Sequence, residues 1–157
     1  YTPASAILTQ ANALGYKPTF FGCDGMDGIL SIEGFDTSLA EGLMLLCPFS
    51  ATATDETTQK FVSAYEAAYG ETPIQFAADA YDCIYALKAA IEQAGVTADM
   101  DYSDICDALV ETFTSEDFSF TGLTTAGETA TWSDTGEISK QPMGMVIQDG
   151  VYMPLDA

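Results

Sequence analysis

The stretch Thr19-Phe-Phe-Gly-Cys-Asp-Gly-Met-Asp-Gly28 decides the fold. β-Favouring residues run straight into a Gly-rich turn that carries two carboxylates, Asp24 and Asp27. A short buried strand ending on an acidic turn is how open α/β sheets present ligand-facing groups, because loops at the carboxyl ends of strands line the crevice. Glycine lets such a turn bend sharply and come close to a ligand. On this reading Asp24 is a fixed anion suited to a cationic partner such as an ammonium group. The plainer reading of the same residues is an ordinary Asp24-Gly25 turn with Asp27 as a helix cap.

Upstream of this stretch, Thr2-Pro3 supplies an N-cap and a first-turn proline. Ile7, Leu8, Ala11 and Leu14 recur at helical spacing, and Gly15 is the stop. A helix feeding a strand is half of a βαβ unit, so a parallel sheet is expected, with Tyr1 at the end of a preceding strand. Downstream, residues 29–38 read as a short helix and loop. Gly42–Phe49 is a continuous apolar run, the pattern of a strand covered on both faces, which Pro48 ends.

Ser50–Thr54 is small and polar, which suits a crossing between subdomains. Three helices are predicted after it. Asp55–Tyr69 carries Phe61, Val62, Tyr65 and Tyr69 on one face. Gln75–Ala94 carries Ala77, Ala80, Tyr81, Ile84, Leu87, Ile91 and Ala94, and Asp101–Phe113 carries Ile105, Leu109 and Phe113. From Phe118 the composition shifts to Thr, Gly and aromatics. Phe118–Thr121, Glu128–Trp132 and Pro142–Gln148 read as strands, and Asp149-Gly150 as a two-residue hairpin turn into Val151–Met153.

Composition narrows the function classes. At 157 residues and 48% apolar, the chain can build a real core despite a net charge of −20. Four lysines stand against 24 acids, with no clustered cations for phosphate contacts, so nucleic acid is not expected as a partner. The absence of histidine removes Ser-His-Asp and Cys-His chemistry and the commonest zinc ligand. No P-loop, G-x-S-x-G or G-x-G-x-x-G occurs. Asp99, Asp101, Ser103 and Asp104 only superficially suggest a calcium loop, since the EF-hand glycine is missing. No catalytic, metal or cofactor residue is therefore assigned. Cys23, Cys47, Cys83 and Cys106 are widely spaced, and buried free thiols are the expected state.

Several points along the chain resemble one family. They are the Tyr1-Thr2-Pro3 helix start, Gly15-Tyr-Lys-Pro-Thr-Phe-Phe-Gly-Cys-Asp-Gly25, Ala40-Glu-Gly-Leu43 and Pro73-Ile-Gln-Phe-Ala-Ala-Asp-Ala-Tyr-Asp82. Phe120-Thr-Gly122, Trp132-Ser-Asp-Thr-Gly-Glu137 and Gln148-Asp-Gly-Val151 complete the set. In order and spacing they resemble the C-terminal half of the leucine/isoleucine/valine-type amino-acid-binding proteins of ABC transporters. The resemblance implies an α/β chain that is part of a two-lobed type I periplasmic-binding-protein fold, a parallel sheet flanked by helices, truncated at the N-terminus. Residues 1–50 would belong to the C-terminal lobe and 51–122 to the N-terminal lobe, with 123–157 returning to the first.

The resemblance also implies a site. Tyr1 matches a cleft tyrosine, Asp24 the carboxylate that pairs with the ligand ammonium, and Phe76 an aromatic at the start of the long helix. Asp24 stands where the leucine-type pattern usually has Glu, one methylene longer, so the resemblance does not carry over the ligand's identity or exact pose. Met26 and Asp27 are secondary lining candidates, and Asp79 could reach the cleft. Core readings stand beside these, most of all for Phe76 at helical spacing. The expected function is an extracytoplasmic, periplasmic or cell-surface lipoprotein solute receptor, with an amino acid as ligand, a membrane permease as partner and no cofactor. The alternatives are a sensing or adhesion module on the same fold, or an enzyme using Asp24 and Asp27 as a carboxylate pair. By itself the chain is expected to lack useful affinity. It should either self-associate through the faces carrying Phe61, Tyr65, Ile84, Leu87, Ile105 and Leu109, or derive from a nicked receptor.

Overall fold

The computed structural model describes residues 1–155. The chain divides into two compact units, Tyr1–Gln75 with the segment from Pro142 onward, and Phe76–Gln141.

The first unit is built on a four-stranded sheet in the order β1 (Phe21–Gly22), β2 (Met44–Cys47), β3 (Met143–Gln148), β4 (Val151–Pro154). β1 and β2 run parallel, with Phe21 opposite Met44, although only 3-10 turns and loop connect them. The two other ladders are antiparallel, so the sheet is mixed rather than purely parallel. For the β3–β4 ladder the reason is local: the two strands form a hairpin over Asp149-Gly150, both at positive φ (53° and 75°). That is the backbone a tight two-residue turn requires, and Asp and Gly tolerate it. β2 buries Leu45 and Cys47 and leaves Leu46 36% exposed, so it is covered on one face, not two. β1 is two residues long at the edge of the sheet, with Phe21 60% exposed.

Helix α1 (Thr2–Ala13) places Pro3 in its first turn and has Tyr1, not Thr2, at the N-cap position. Leu8 and Ala11 are its buried apolar stripe. Residues 29–40 form two 3-10 turns, Ile29–Ser31 and Thr37–Ala40, with Ile29 and Ala40 fully buried. Helix α2 (Glu56–Tyr69) is capped by Asp55, whose carboxylate accepts from Thr58 N at 2.9 Å and is thereby held below the usual carboxylate range. Gly70 in the left-handed region ends it. Phe61 stacks edge-on to Phe49 at 5.9 Å, Val62 is buried, and Tyr69 is 69% exposed.

Helix α3 (Gln75–Ala94) runs from the last residue of the first unit through the second. Within the second unit its buried face is Ala78, Asp82, Ala86 and Ala90. Ile84, Leu87 and Ile91, which the periodicity places in the core, are 66%, 40% and 38% exposed. Alanines at i, i+8 and i+12, with Asp82 at i+4, allow close packing, and that stripe wins over the bulkier one. Helix α4 (Tyr102–Phe113) leads to an aromatic cluster of Phe113, Phe118 and Trp132, with ring centroids 4.9 to 5.6 Å apart. The strands expected at Phe118–Thr121 and Glu128–Trp132 are isolated bridges, Phe120 to Ala130 and Trp132 to Ile138. What holds this region is Asp82. Its carboxylate accepts from Leu123 N, Thr124 N and Thr124 Oγ1 at 2.7 to 2.9 Å, doing for the loop what a ladder would otherwise do. Cys23, Cys83 and Cys106 are free thiols but exposed, contrary to the expectation of burial, and Cys47 is buried.

Candidate functional site

The acidic turn follows β1 directly. Residues Asp24–Met26 form a 3-10 turn, closed by Met26 N to Cys23 O and Asp27 N to Asp24 O at 3.2 and 3.0 Å. Glycine stands at two nearby points where a β-carbon would meet a neighbour. A β-carbon on Gly22 would collide with the Met26 side chain. Gly28 has φ +105°, and a β-carbon there would sit 3.0 Å from the Tyr1 ring and 3.4 Å from Ile74.

The two carboxylates of the turn have opposite surroundings. Asp24 is exposed, and its Oδ1 accepts from Gly25 N at 3.0 Å. It is an anion presented to whatever approaches the carboxyl end of the sheet. Asp27 is 5% exposed. Its Oδ2 accepts from the backbone N–H of Gln75 at 2.6 Å and lies 3.9 Å from Cys47 Sγ. Gln75 opens α3, so Asp27 satisfies an otherwise orphan N–H of that helix, where negative charge is also favoured by the dipole. Asp27 is thus a cap, for a helix 48 residues away in sequence.

Of the other residues marked by the sequence, Tyr1 and Met26 join the same turn. The Tyr1 backbone nitrogen donates to Gly25 O at 3.1 Å while its ring lies over Gly28, and the side chain is 46% exposed. Met26 is half-buried against Gly22. Phe76 is the first residue of the second unit and 42% exposed. Asp79, in the same unit, pairs with Lys140 at 2.8 Å.

Three residues at the turn escaped the sequence reading. Ile74 packs beside the Tyr1 ring over Gly28. Gln75 donates its Nε2 to Asp24 O at 2.6 Å and is 1% exposed. Tyr152 accepts from Gly28 N at 3.0 Å, and burial, with the neighbouring Asp27 charge adding to it, pushes its phenol up to about 12. A glutamine in an otherwise apolar or small helix start was the one available signal. The pairings with Tyr152 and Ile74 bridge 124 and 46 positions and leave no local pattern. Behind the turn, a cavity of about 450 Å³ is lined by Asp27, Cys47, Phe49, Val62, Ile74 and Tyr152 among others.

Chemically, the turn offers one exposed carboxylate on a backbone anchored from several sides, next to an aromatic ring. Among the described residues no group of three or more His, Cys, Asp or Glu could hold a metal, and no helix is long and apolar enough to cross a membrane.

The periplasmic binding protein family matches residues 2–146. Among solved structures, the chain is similar to the leucine binding protein LivK of Thermotoga maritima, at 26% identity and a TM-score of 0.72, over 99% of this chain and 42% of that one. It is also similar to the branched-chain amino acid transporter substrate binding protein LivJ of Streptococcus pneumoniae in complex with isoleucine, at 24% identity and a TM-score of 0.74, over 98% and 42%. A solute binding protein of an R. palustris ABC transporter, in complex with benzoate, shares the fold at 18% identity and a TM-score of 0.74, over 97% and 39%. The chain therefore spans about two fifths of the length of these structures. No curated protein matches it significantly.

Proposed function

Starting from the chain's membership of the periplasmic binding protein family, we propose that it serves a receptor that binds an amino acid for an ABC transporter outside the cytoplasm, without catalysis. The observation that carries this reading is the exposed Asp24 carboxylate on a braced turn at the carboxyl end of β1. A cationic group meeting Asp24 gains a charge-assisted hydrogen bond. The turn is held before the ligand arrives, so little ordering cost falls on binding.

Asp24 takes the ligand ammonium on this reading. Tyr1, exposed beside it, supplies an aromatic wall, and Met26 a flexible apolar contact. Phe76 is assigned by the resemblance alone, and Asp27 acts from behind the turn. The Asp in place of Glu shortens the reach, which favours a ligand whose ammonium comes closer to the backbone of the turn. Assignment of residues 1–50 and 123–157 to one lobe of a longer receptor and 51–122 to the other follows the same resemblance. So does the membrane permease as partner.

A thermal-shift screen of the full-length protein against the proteinogenic amino acids tests the reading. Stabilisation by one amino acid or a small related group is expected, since a ligand at 100 times its Kd adds about 2.7 kcal/mol. No shift with any of them would remove amino acids as the substrate class.

A further inference from the structure

The chain leaves the first unit at Gln75, and every polar hydrogen-bonding link from this residue to the acidic turn is short. Its backbone N–H donates to Asp27 Oδ2 and its Nε2 to Asp24 O, each at 2.6 Å. One buried residue therefore grips both ends of the segment that presents Asp24.

We propose that Gln75 is a positioning residue for ligand recognition: with Asp27 it locks the backbone of the Asp24 turn in its binding geometry. This rests on the reading of Asp24 as the ammonium partner. A three-residue 3-10 turn has poor hydrogen-bond geometry and cannot hold itself. Binding groups, however, must be kept within about half an ångström of their productive position. Glutamine meets the need in a way its neighbours in size do not. Glutamate would set an acceptor against the Asp24 carbonyl and a second charge against Asp27. Methionine fills the same volume without a donor. Asparagine keeps the donor one methylene short. The backbone half of the grip is independent of side chain, so the side-chain half can be removed alone.

Gln75→Met in the full-length, ligand-free protein, followed by amide hydrogen exchange, is the first test. The Met26 and Asp27 amides, which close the turn, should exchange about tenfold faster, as expected for one lost buried hydrogen bond. The Ile147 amide, bonded to Leu43 O in the sheet, should not change. Gln75→Asn is expected to do the same and serves if the methionine variant does not fold. Unchanged turn exchange in the folded variants, or a uniform rise that includes Ile147, overturns the proposal.

The second arm uses L-leucine as the probe. Gln75→Met should weaken its binding about tenfold in the wild-type background and leave it unaltered in an Asp24→Ala background. An equal loss in both backgrounds means that Gln75 acts on stability at large, and overturns the positioning role. Leucine binding that survives Asp24→Ala would discard the Asp24 reading instead, and the exchange arm then decides on Gln75 alone.

Discussion

The ring of Tyr1 occupies the space that a side chain on Gly28 would need: Cε1 lies 3.0 Å from the position of a β-carbon there. The contact ties the start of α1 to the end of the acidic turn, and it sits on a residue whose φ of +105° already disfavours any L side chain. Gly28→Ala should therefore suffer twice, from backbone strain and from displacement of the tyrosine. The backbone part alone costs about 1–3 kcal/mol. Gly34→Ala is the control, with φ +77° and nothing within 4 Å of a new β-carbon. Urea midpoints should rank wild type above Gly34→Ala above Gly28→Ala. Equal losses at the two glycines would mean that the tyrosine contact carries no weight.

Tyr152 makes the first unit sensitive to alkali. Its phenol has an ordinary value of 10.0 and is pushed up to about 12 in the fold, chiefly by burial. The folded state thus binds more protons than the unfolded state between those values. Its contribution is complete below pH 10 and is lost as pH rises through about 12. The urea midpoint should fall across that window in the wild type and fall less in Tyr152→Phe, although the variant starts lower because Gly28 N loses its acceptor. Identical pH slopes for the two proteins would contradict this account of Tyr152.

Self-association of the 157-residue chain taken alone is expected through the face of α3 where Ile84, Leu87 and Ile91 are exposed. Of the residues named from the periodicity, Ile84 and Leu87 remain open, while Phe61, Tyr65, Ile105 and Leu109 are half-buried. A net charge of −20 opposes contact between copies, so association should tighten as salt screens it. Sedimentation at increasing salt checks this. A monomer at every salt concentration, or association that weakens with salt, would count against it.

Much of this fold was legible wherever the signal was local. Helix α3 has the bounds Gln75–Ala94 read from Pro73 and Gly95, and Asp149-Gly150 makes the hairpin its dipeptide predicts. Phe21 pairs with Met44 in parallel, but no α-helix joins those two strands, so this pairing was not read from the helix that precedes β1. What stayed hidden is non-local. Helical spacing identifies two apolar stripes on α3, and only packing shows that Ala78, Ala86 and Ala90 are the buried one. The Thr-rich segment after Phe118 has strand-forming residues but is held by Asp82 in place of a ladder. The acidic turn was legible as a turn. Asp24 is exposed at the turn and Asp27 is a cap, for a helix that local reading could not name.

The central claim is that Asp24 pairs with a ligand ammonium. In a closed, water-poor site, removing one partner of such a pair costs about 3–5 kcal/mol. Calorimetric titration of the full-length protein with its best amino acid from the thermal screen, compared with Asp24→Asn and Asp24→Ala, measures it directly. Asparagine keeps the shape and loses the charge, so both variants should bind roughly two to three orders of magnitude more weakly, at about 1.4 kcal/mol per tenfold. Wild-type affinity in either variant would contradict the account.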